Sequence, residues 1–131
     1  MAKKSKASEQ EVQTDQYTDS GKTTIAPEVL LTIARLTTLD VPGVSRMSPV
    51  PGGVNRLFKR GFGEGVRIDI RDDDTVYADL YIILENDVNI RDVSRLVQHR
   101  VARSISDMVG MQVGRVNIHI EDIDYPVESE A

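Results

Sequence analysis

The chain of 131 residues contains no cysteine, no tryptophan and two phenylalanines. Without cysteine it can form no disulfide, no thiolate metal site and no thiol nucleophile. Its two histidines are too few for a zinc centre unless carboxylates complete the ligand set. Because aromatic residues make up only 5% of the chain, a hydrophobic core has to be built from aliphatic side chains.

Long hydrophobic runs are also missing. The longest unbroken apolar run is residues 80–84, whereas a transmembrane helix needs about 20 apolar residues. The N-terminal lysines Lys3, Lys4 and Lys6 are followed by polar residues and not by the apolar segment of a signal peptide. The sequence therefore predicts a soluble, cytoplasmic protein without a transmembrane segment.

The net charge of −5 is unevenly distributed. Residues 22–120 hold 13 basic and 12 acidic residues, whereas residues 121–131 hold five acidic residues and no basic one. Nucleic-acid binding generally depends on a basic surface that neutralises phosphates, and this distribution provides none over the chain as a whole.

Both ends of the chain are predicted to be disordered. Residues 1–21 contain Val12 and Tyr17 as their only sizeable apolar side chains, which is too little apolar surface to offset the entropy of ordering. Residues 125–131 form an acidic C-terminus of the same kind. The folded domain is therefore expected over residues 22–124.

Two segments have helical periodicity. The first, residues 27–39, begins at Pro27, which suits the first turn of a helix. The second has about 20 residues between an N-cap at Asn89 and a left-handed C-cap at Gly110. The first apolar stripe is predicted to consist of Val29, Leu30, Ile33, Leu36 and Thr37. The second is predicted to consist of Val93, Leu96, Val97, Val101, Ile105, Met108 and Val109.

Alternation of apolar and polar residues predicts the strands. Residues 66–71 and 76–85 alternate and are separated by three aspartates that suit a hairpin turn; a last strand follows at 113–123. Weaker strands are predicted at 23–25 and 44–47. The core side is expected to carry Val76, Ala78, Leu80, Ile82, Leu84, Val116, Ile118 and Ile120. The opposite side is expected to carry Arg67, Asp69, Tyr77, Asp79, Tyr81, Ile83, Asn117 and His119.

The order of elements is thus β-α-(β)-β-β-α-β. Because each helix has one apolar stripe and each strand one more apolar side, the economical packing is an α+β fold of two layers. Both helices are expected on one face of a small mixed sheet.

No catalytic, cofactor-binding or metal-binding residue is predicted. The three aspartates at 72–74 lack the alternate spacing of a calcium loop. His119 lies near Asn117 and Glu121, a trio that could bind a metal or relay a proton, but a solvent-facing histidine is the simpler interpretation. No cofactor is expected, and the sequence offers no triad, dyad or ligand set of an enzyme.

The segment 48–65 is the most unusual part of the sequence. It has five glycines and two prolines in eighteen residues, which excludes a regular element and predicts a long loop. Arg56, Lys59 and Arg60 alternate there with Leu57 and Phe58. Two interpretations stay open: this cluster binds an acidic protein surface or anionic headgroups, or the loop is mobile and folds its apolar residues under itself.

Tyr77, Tyr81 and Ile83 face away from the predicted core. Exposed aromatic residues on a sheet indicate an interface, although the loop or one of the tails could instead cover them. The predicted partner-binding residues are Arg56, Leu57, Phe58, Lys59, Arg60, Tyr77, Tyr81 and Ile83.

Several sequence segments occur together in the order of a known family. The first predicted helix begins within the segment IAPEVL and is followed by VPGV. The segments GVRIDI, DLYIIL, MVGM and VNIHIEDI come later in the chain. This set resembles the alkaline shock protein family of bacterial envelope-stress proteins over about residues 21–123. The resemblance implies a small cytoplasmic α/β domain with no known catalytic activity. It also implies that some members reach the membrane through a membrane-anchored partner and that some self-associate.

Two functions are compatible with these observations. The favoured one is a non-enzymatic envelope-stress binding or scaffold protein that acts by protein–protein contact at the cytoplasmic side of the membrane. A protein partner, such as a membrane-anchored one, and a homo-oligomer are then expected. The alternative is a small RNA-binding module, since small α/β domains with a glycine-rich loop can bind RNA. The neutral domain and acidic C-terminus argue against it.

Overall fold

The computed structural model describes residues 20–51 and 62–126 of the chain. Both helices lie on one face of a five-stranded mixed sheet, so the predicted two-layer α+β fold is confirmed. The elements in chain order are α1 (Pro27–Leu39), β1 (Val44–Met47), β2 (Phe62–Gly63), β3 (Val66–Ile70), β4 (Thr75–Glu85), α2 (Ile90–Val109) and β5 (Gln112–Asp124).

Strand β4 is the centre of the sheet. Strand β5 runs parallel to β4 and pairs with the whole length of β4 along one edge. The other edge is shared, because β3 pairs antiparallel with Val76 to Leu80 and β1 pairs antiparallel with Ile82 to Leu84. Strand β2 pairs with the outer edge of β3. Helix α2 connects the parallel strands β4 and β5.

The core is aliphatic, as the composition predicts. Alternate residues of β4 from Val76 to Leu84 are almost completely buried against the helices. Helix α2 packs onto them through the buried Val97, Val101 and Ile105. The predicted core side of β4 and most of the predicted stripe of α2 are confirmed; Met108 is the exception, because its side chain is exposed.

The predicted stripe of α1 is partly wrong. Val29 and Leu36 are 44% and 54% exposed, because the helix turns other positions toward the sheet. The buried residues are Leu30, Leu31, Ile33, Ala34 and Thr38. Thr38 can be buried because its hydroxyl donates a hydrogen bond to the Ala34 carbonyl at 2.7 Å, which satisfies its polar atom.

The predicted capping residues of α2 and the predicted turn of the β3–β4 hairpin are confirmed. The Asn89 side chain accepts a hydrogen bond from the Asp92 amide at 3.0 Å, and Gly110 is left-handed with φ of 80°. In the hairpin turn, the Thr75 amide donates to Asp73 Oδ1 at 3.2 Å and Asp74 has a positive φ. The three aspartates therefore form a turn.

Two details of the predicted order need correction. Residues 23–25 form no strand, since three residues can make few ladder bonds and no described strand pairs with them. Strand β2 is an extra strand within the predicted loop 48–65. Most of the predicted disordered tails, at 1–19 and 127–131, and the segment 52–61 lie outside the described residues.

Candidate interaction surface

The face of the sheet opposite the helices is the candidate site, and it is called the open face below. In the described parts of the chain both helices pack on the other face, so no helix covers this one. Strands β3, β4 and β5 contribute polar and aromatic side chains to it. They are Arg67, Asp69, Tyr77, Asp79, Tyr81, Ile83, Asn117 and His119.

Asp79 is the centre of a hydrogen-bonded cluster on the open face. The register of the sheet places it between Arg67 on β3 and Asn117 on β5. His119 Nε2 donates to Asp79 Oδ1 at 3.0 Å, and Asn117 Nδ2 donates to the same oxygen at 3.2 Å. Arg67 Nε lies 4.0 Å from the other carboxylate oxygen. The cluster therefore links three strands through side chains.

The surroundings of Asp79 lower the pKa of its carboxyl group below the usual value. Partial burial by itself would raise that pKa, because it disfavours the charged form. The hydrogen bonds from His119 and Asn117, together with the charge of Arg67, outweigh the effect of burial. The cluster thus stabilises Asp79 as a carboxylate.

Tyr81 and Ile83 face away from the core as predicted, and of the two alternatives left open for them, exposure or cover, the structure shows cover. They are only 8% and 5% exposed. The His119 ring stacks on Tyr81, with ring centroids 4.4 Å apart and an interplanar angle of 10°. Beside Ile83, Arg46 on β1 reaches across β4 to Asp124 on β5 at 3.0 Å. Side chains of the flanking strands therefore cover part of both residues.

Tyr77 is half-buried on the same face. The guanidinium carbon of Arg71 lies 4.1 Å from the centre of its ring, which is a cation–π contact. Arg71 also donates to Asp69 at 2.7 Å. Tyr77 thus remains accessible to a partner, next to one positive and one negative side chain.

The segment 48–65 leaves and rejoins the sheet at Tyr81. The Ser48 amide donates to the Tyr81 carbonyl at 2.8 Å, and the Tyr81 amide donates to the Gly65 carbonyl at 2.8 Å. Gly65 has φ of 69°, and a Cβ there would lie 2.7 Å from the Ser48 carbonyl oxygen. Only glycine fits this junction without strain. The predicted contact residues of the loop, Arg56, Leu57, Phe58, Lys59 and Arg60, lie outside the described residues.

The Asp79–His119 pair orients an imidazole ring, which is one part of a general acid–base or nucleophilic site. Asp79 occupies one ring nitrogen of His119 and Tyr81 covers one ring face. Among the described residues no group of three or more histidine, aspartate or glutamate side chains could hold a metal ion. What this arrangement can do is stiffen the open face and present charged and aromatic groups to a ligand.

His119 is 40% exposed, which agrees with the expectation of a solvent-facing histidine, but its ring also has two partners, Asp79 and Tyr81, that the sequence did not indicate. The sequence did place Asp79, Tyr81, Asn117 and His119 on one side of the sheet. The missing information was the parallel register of β4 and β5, which sets Asp79 beside Asn117 and Tyr81 beside His119.

Comparison with known sequences identifies the family of this chain. The profile of the alkaline shock protein family, described as having a cell envelope-related function, matches residues 15–125. The chain belongs to the alkaline shock protein family. This confirms the resemblance found in the sequence, and it assigns the chain a cell envelope-related function.

Relatives of this alkaline shock family chain include proteins from two bacteria. YqhY of Bacillus subtilis strain 168 is 32% identical over 115 residues, which cover 86% of this chain and 84% of YqhY. Spy1535 of Streptococcus pyogenes serotype M6 is 32% identical over 103 residues, 79% of each chain. YloU of Bacillus subtilis is 24% identical over 110 residues, which cover 81% of this chain and 91% of YloU. All three carry the description of uncharacterized protein.

No solved structure matches the chain significantly. Neither the family description nor the names of the relatives state an enzymatic activity. In the portion of the chain that the structure describes, neither helix is long and apolar enough to span a membrane.

Proposed function

We propose that this alkaline shock family chain is a non-enzymatic binding or scaffold protein of the envelope stress response. It acts by protein–protein contact at the cytoplasmic side of the membrane, where its partner is membrane-anchored, and it also self-associates. The observation that carries this proposal is the junction at Tyr81. Ser48 and Gly65, at the two ends of the segment that holds the basic and apolar loop residues, bond to the backbone of Tyr81 on the open face. The proposed contact surface therefore combines the open face with the predicted contact residues of the loop segment, whose described ends meet at Tyr81.

The residues of this surface have different roles. Arg56, Lys59 and Arg60 steer the chain toward an acidic partner, whereas Leu57 and Phe58 anchor the contact once it has formed. Tyr77 adds accessible aromatic area on the open face. Tyr81 and Ile83 are too buried to touch a partner and instead support the surface from beneath.

The proposal is tested by replacing Arg56, Lys59 and Arg60 together with serine. A basic residue near an anionic surface contributes about 1 kcal/mol, so losing three should weaken association by roughly 100-fold. We expect the variant to melt like the parent chain. Its recovery with the membrane fraction of the native host should fall sharply.

A matched control removes three arginines from the two helices instead, by replacing Arg35, Arg100 and Arg103 with serine. The change in net charge is the same, so a loss of recovery caused by charge alone would appear in both variants. If the loop variant stays with the membrane fraction like the parent, the loop is not the contact surface. If the purified chain binds protein-free anionic vesicles as well as it binds native membranes, lipid and not a protein is the partner.

A further inference from the structure

Strand β5 has an open edge. Its 13 residues pair with β4 on one side, and the described part of the chain places no strand on the other. An open strand edge is a template for pairing with another strand, and proteins usually protect it with lysine, proline or bulges. Strand β5 contains neither lysine nor proline, and its two bulges leave a regular stretch between them.

One hydrogen bond shows which backbone groups point outward. Gln98 of α2 donates through Nε2 to the Val116 carbonyl at 3.0 Å, so this carbonyl is directed away from β4. Alternate residues of a strand direct their backbone groups to the same edge. Ile118 and Ile120 therefore also present their amides and carbonyls at the open edge.

Two bulges bound the regular part of this edge. The register between β4 and β5 shifts between Val76 and Tyr77 and again between Ile82 and Ile83, which leaves Gly114 and Glu121 as the extra residues of β5. Bulges bend a strand and end regular pairing. A strand added to the edge is thus limited to residues 115–121, with the bulge residue Glu121 at the end of the stretch.

The sequence of this stretch is complementary to itself. When two copies run antiparallel with Ile118 opposite Ile118, Val116 meets Ile120 and Arg115 meets Glu121. The first pairing joins two core-side apolar residues, and the second joins exposed residues of opposite charge. Such cross-strand pairs are favourable, whereas like charges in the same places are unfavourable. This register also sets the outward amides and carbonyls of the two copies opposite one another; the Val116 carbonyl, which already accepts from Gln98, accepts a second hydrogen bond through its other lone pair.

A shallow groove lies between α2 and the open edge of β5. A second copy that pairs with this edge can bury the apolar surface of the groove. The groove is lined by Ile90, Arg91, Ser94, Arg95, Gln98 and Ile118, so two arginines border its apolar surface, and Ile90 is exposed. Arg95 at its rim pairs with Asp92 at 3.6 Å, which reduces the charge that two copies would bring together there.

We propose that a second copy of this chain pairs antiparallel with the open edge of β5 about Ile118, so that two sheets join into one. This proposal rests on the self-association included in the proposed function and names the surface responsible. The dimer contains two symmetric Arg115–Glu121 contacts and the backbone ladder between them.

The two charged residues allow a test that depends on the register. Arg115→Glu makes both cross-copy contacts repulsive, and so does Glu121→Arg. Each variant alone should dimerise about 10- to 100-fold more weakly than the parent in analytical ultracentrifugation, from about 1 kcal/mol at each of two contacts. An equimolar mixture of the two variants should form a heterodimer of parental strength, because both of its contacts are again attractive.

Arg100→Glu is the matched control, since it makes the same change of charge on the exposed far side of α2 and should leave dimerisation unchanged. Thermal melting checks that each variant folds; if one does not, Arg115→Gln and Glu121→Gln replace the pair and should each weaken the dimer by a smaller factor. Three results would overturn the proposal: variants that dimerise like the parent, a mixture that is not restored, or a parent that stays monomeric. The last result would also remove self-association from the proposed function, whereas the membrane-recovery test would stand independently.

Discussion

The Asp79 cluster makes a quantitative prediction about stability and its dependence on pH. Asp79→Asn keeps the shape of the side chain but removes the negative charge that His119 and Asn117 bond to and Arg67 faces. A hydrogen bond to a charged group contributes about 1.5–3 kcal/mol when it is well buried. Because the Asp79 side chain is 24% exposed and the amide can still accept one bond, we expect a loss of about 1–2 kcal/mol at pH 7.

The sign of the pH effect follows from the lowered pKa of Asp79. A carboxyl group whose pKa is lower in the folded state stabilises the fold above its unfolded pKa of about 3.9. That contribution is lost as the pH falls through the lower, folded pKa. The difference in free energy of unfolding between the parent and Asp79→Asn should therefore be largest near neutral pH. It should shrink steadily below about pH 4.

Urea unfolding followed by circular dichroism, at pH 7 and through an acid series, measures this difference. Asp69→Asn is the matched control, because Asp69 also accepts from an arginine, at 2.7 Å, but both side chains are more than half exposed. It should cost less than about 1 kcal/mol at pH 7. If Asp79→Asn is as stable as the parent at pH 7, or if its deficit persists unchanged into acid, the carboxylate is not what holds the cluster together.

Two further stability predictions follow from burial and capping. Leu80→Ala should cost about 2–5 kcal/mol because Leu80 is fully enclosed, whereas the same change at the exposed Leu36 should cost less than about 1 kcal/mol; similar losses in urea unfolding would contradict the packing described. Asn89→Ala should cost about 1 kcal/mol because it leaves the Asp92 amide without its cap, while Asn89→Ser should restore most of it; equal midpoints for the parent and Asn89→Ala would show that the cap contributes nothing.

The features that could be predicted from the sequence are those with local causes. The ends of α2 depend on Asn89 and Gly110, whose conformations are set within one turn of the helix. The alternation along β4 places Leu80 in the core regardless of which strands lie beside it. Such signals need only a few neighbouring residues, so the bounds of both helices and the core side of β4 agree with the structure.

The features that could not be predicted depend on how distant segments meet. Asp79 and His119 are 40 positions apart, and their contact requires the parallel register of β4 and β5. The ion pair beside Ile83 requires Arg46 to cross β4 to Asp124. The predicted buried stripe of α1 includes Leu36, whereas the observed one includes Ala34, so the two differ by a rotation about the helix axis. The hydrophobicity of the sequence favoured the larger residue, although the structure buries the smaller one.

The two proposals have a joint geometric consequence. In an antiparallel pair of strands, residues directly opposite one another lie on the same side of the sheet. A dimer paired about Ile118 therefore has its four helices on one side and both open faces on the other. The side chains of both Tyr81 residues then face the same direction. Two contacts held together in this way bind a surface that carries many copies of a partner far more tightly than one contact does. If each open face makes the proposed weak contact, disrupting the open edge of β5 should reduce recovery with the membrane fraction even though that edge does not touch the partner.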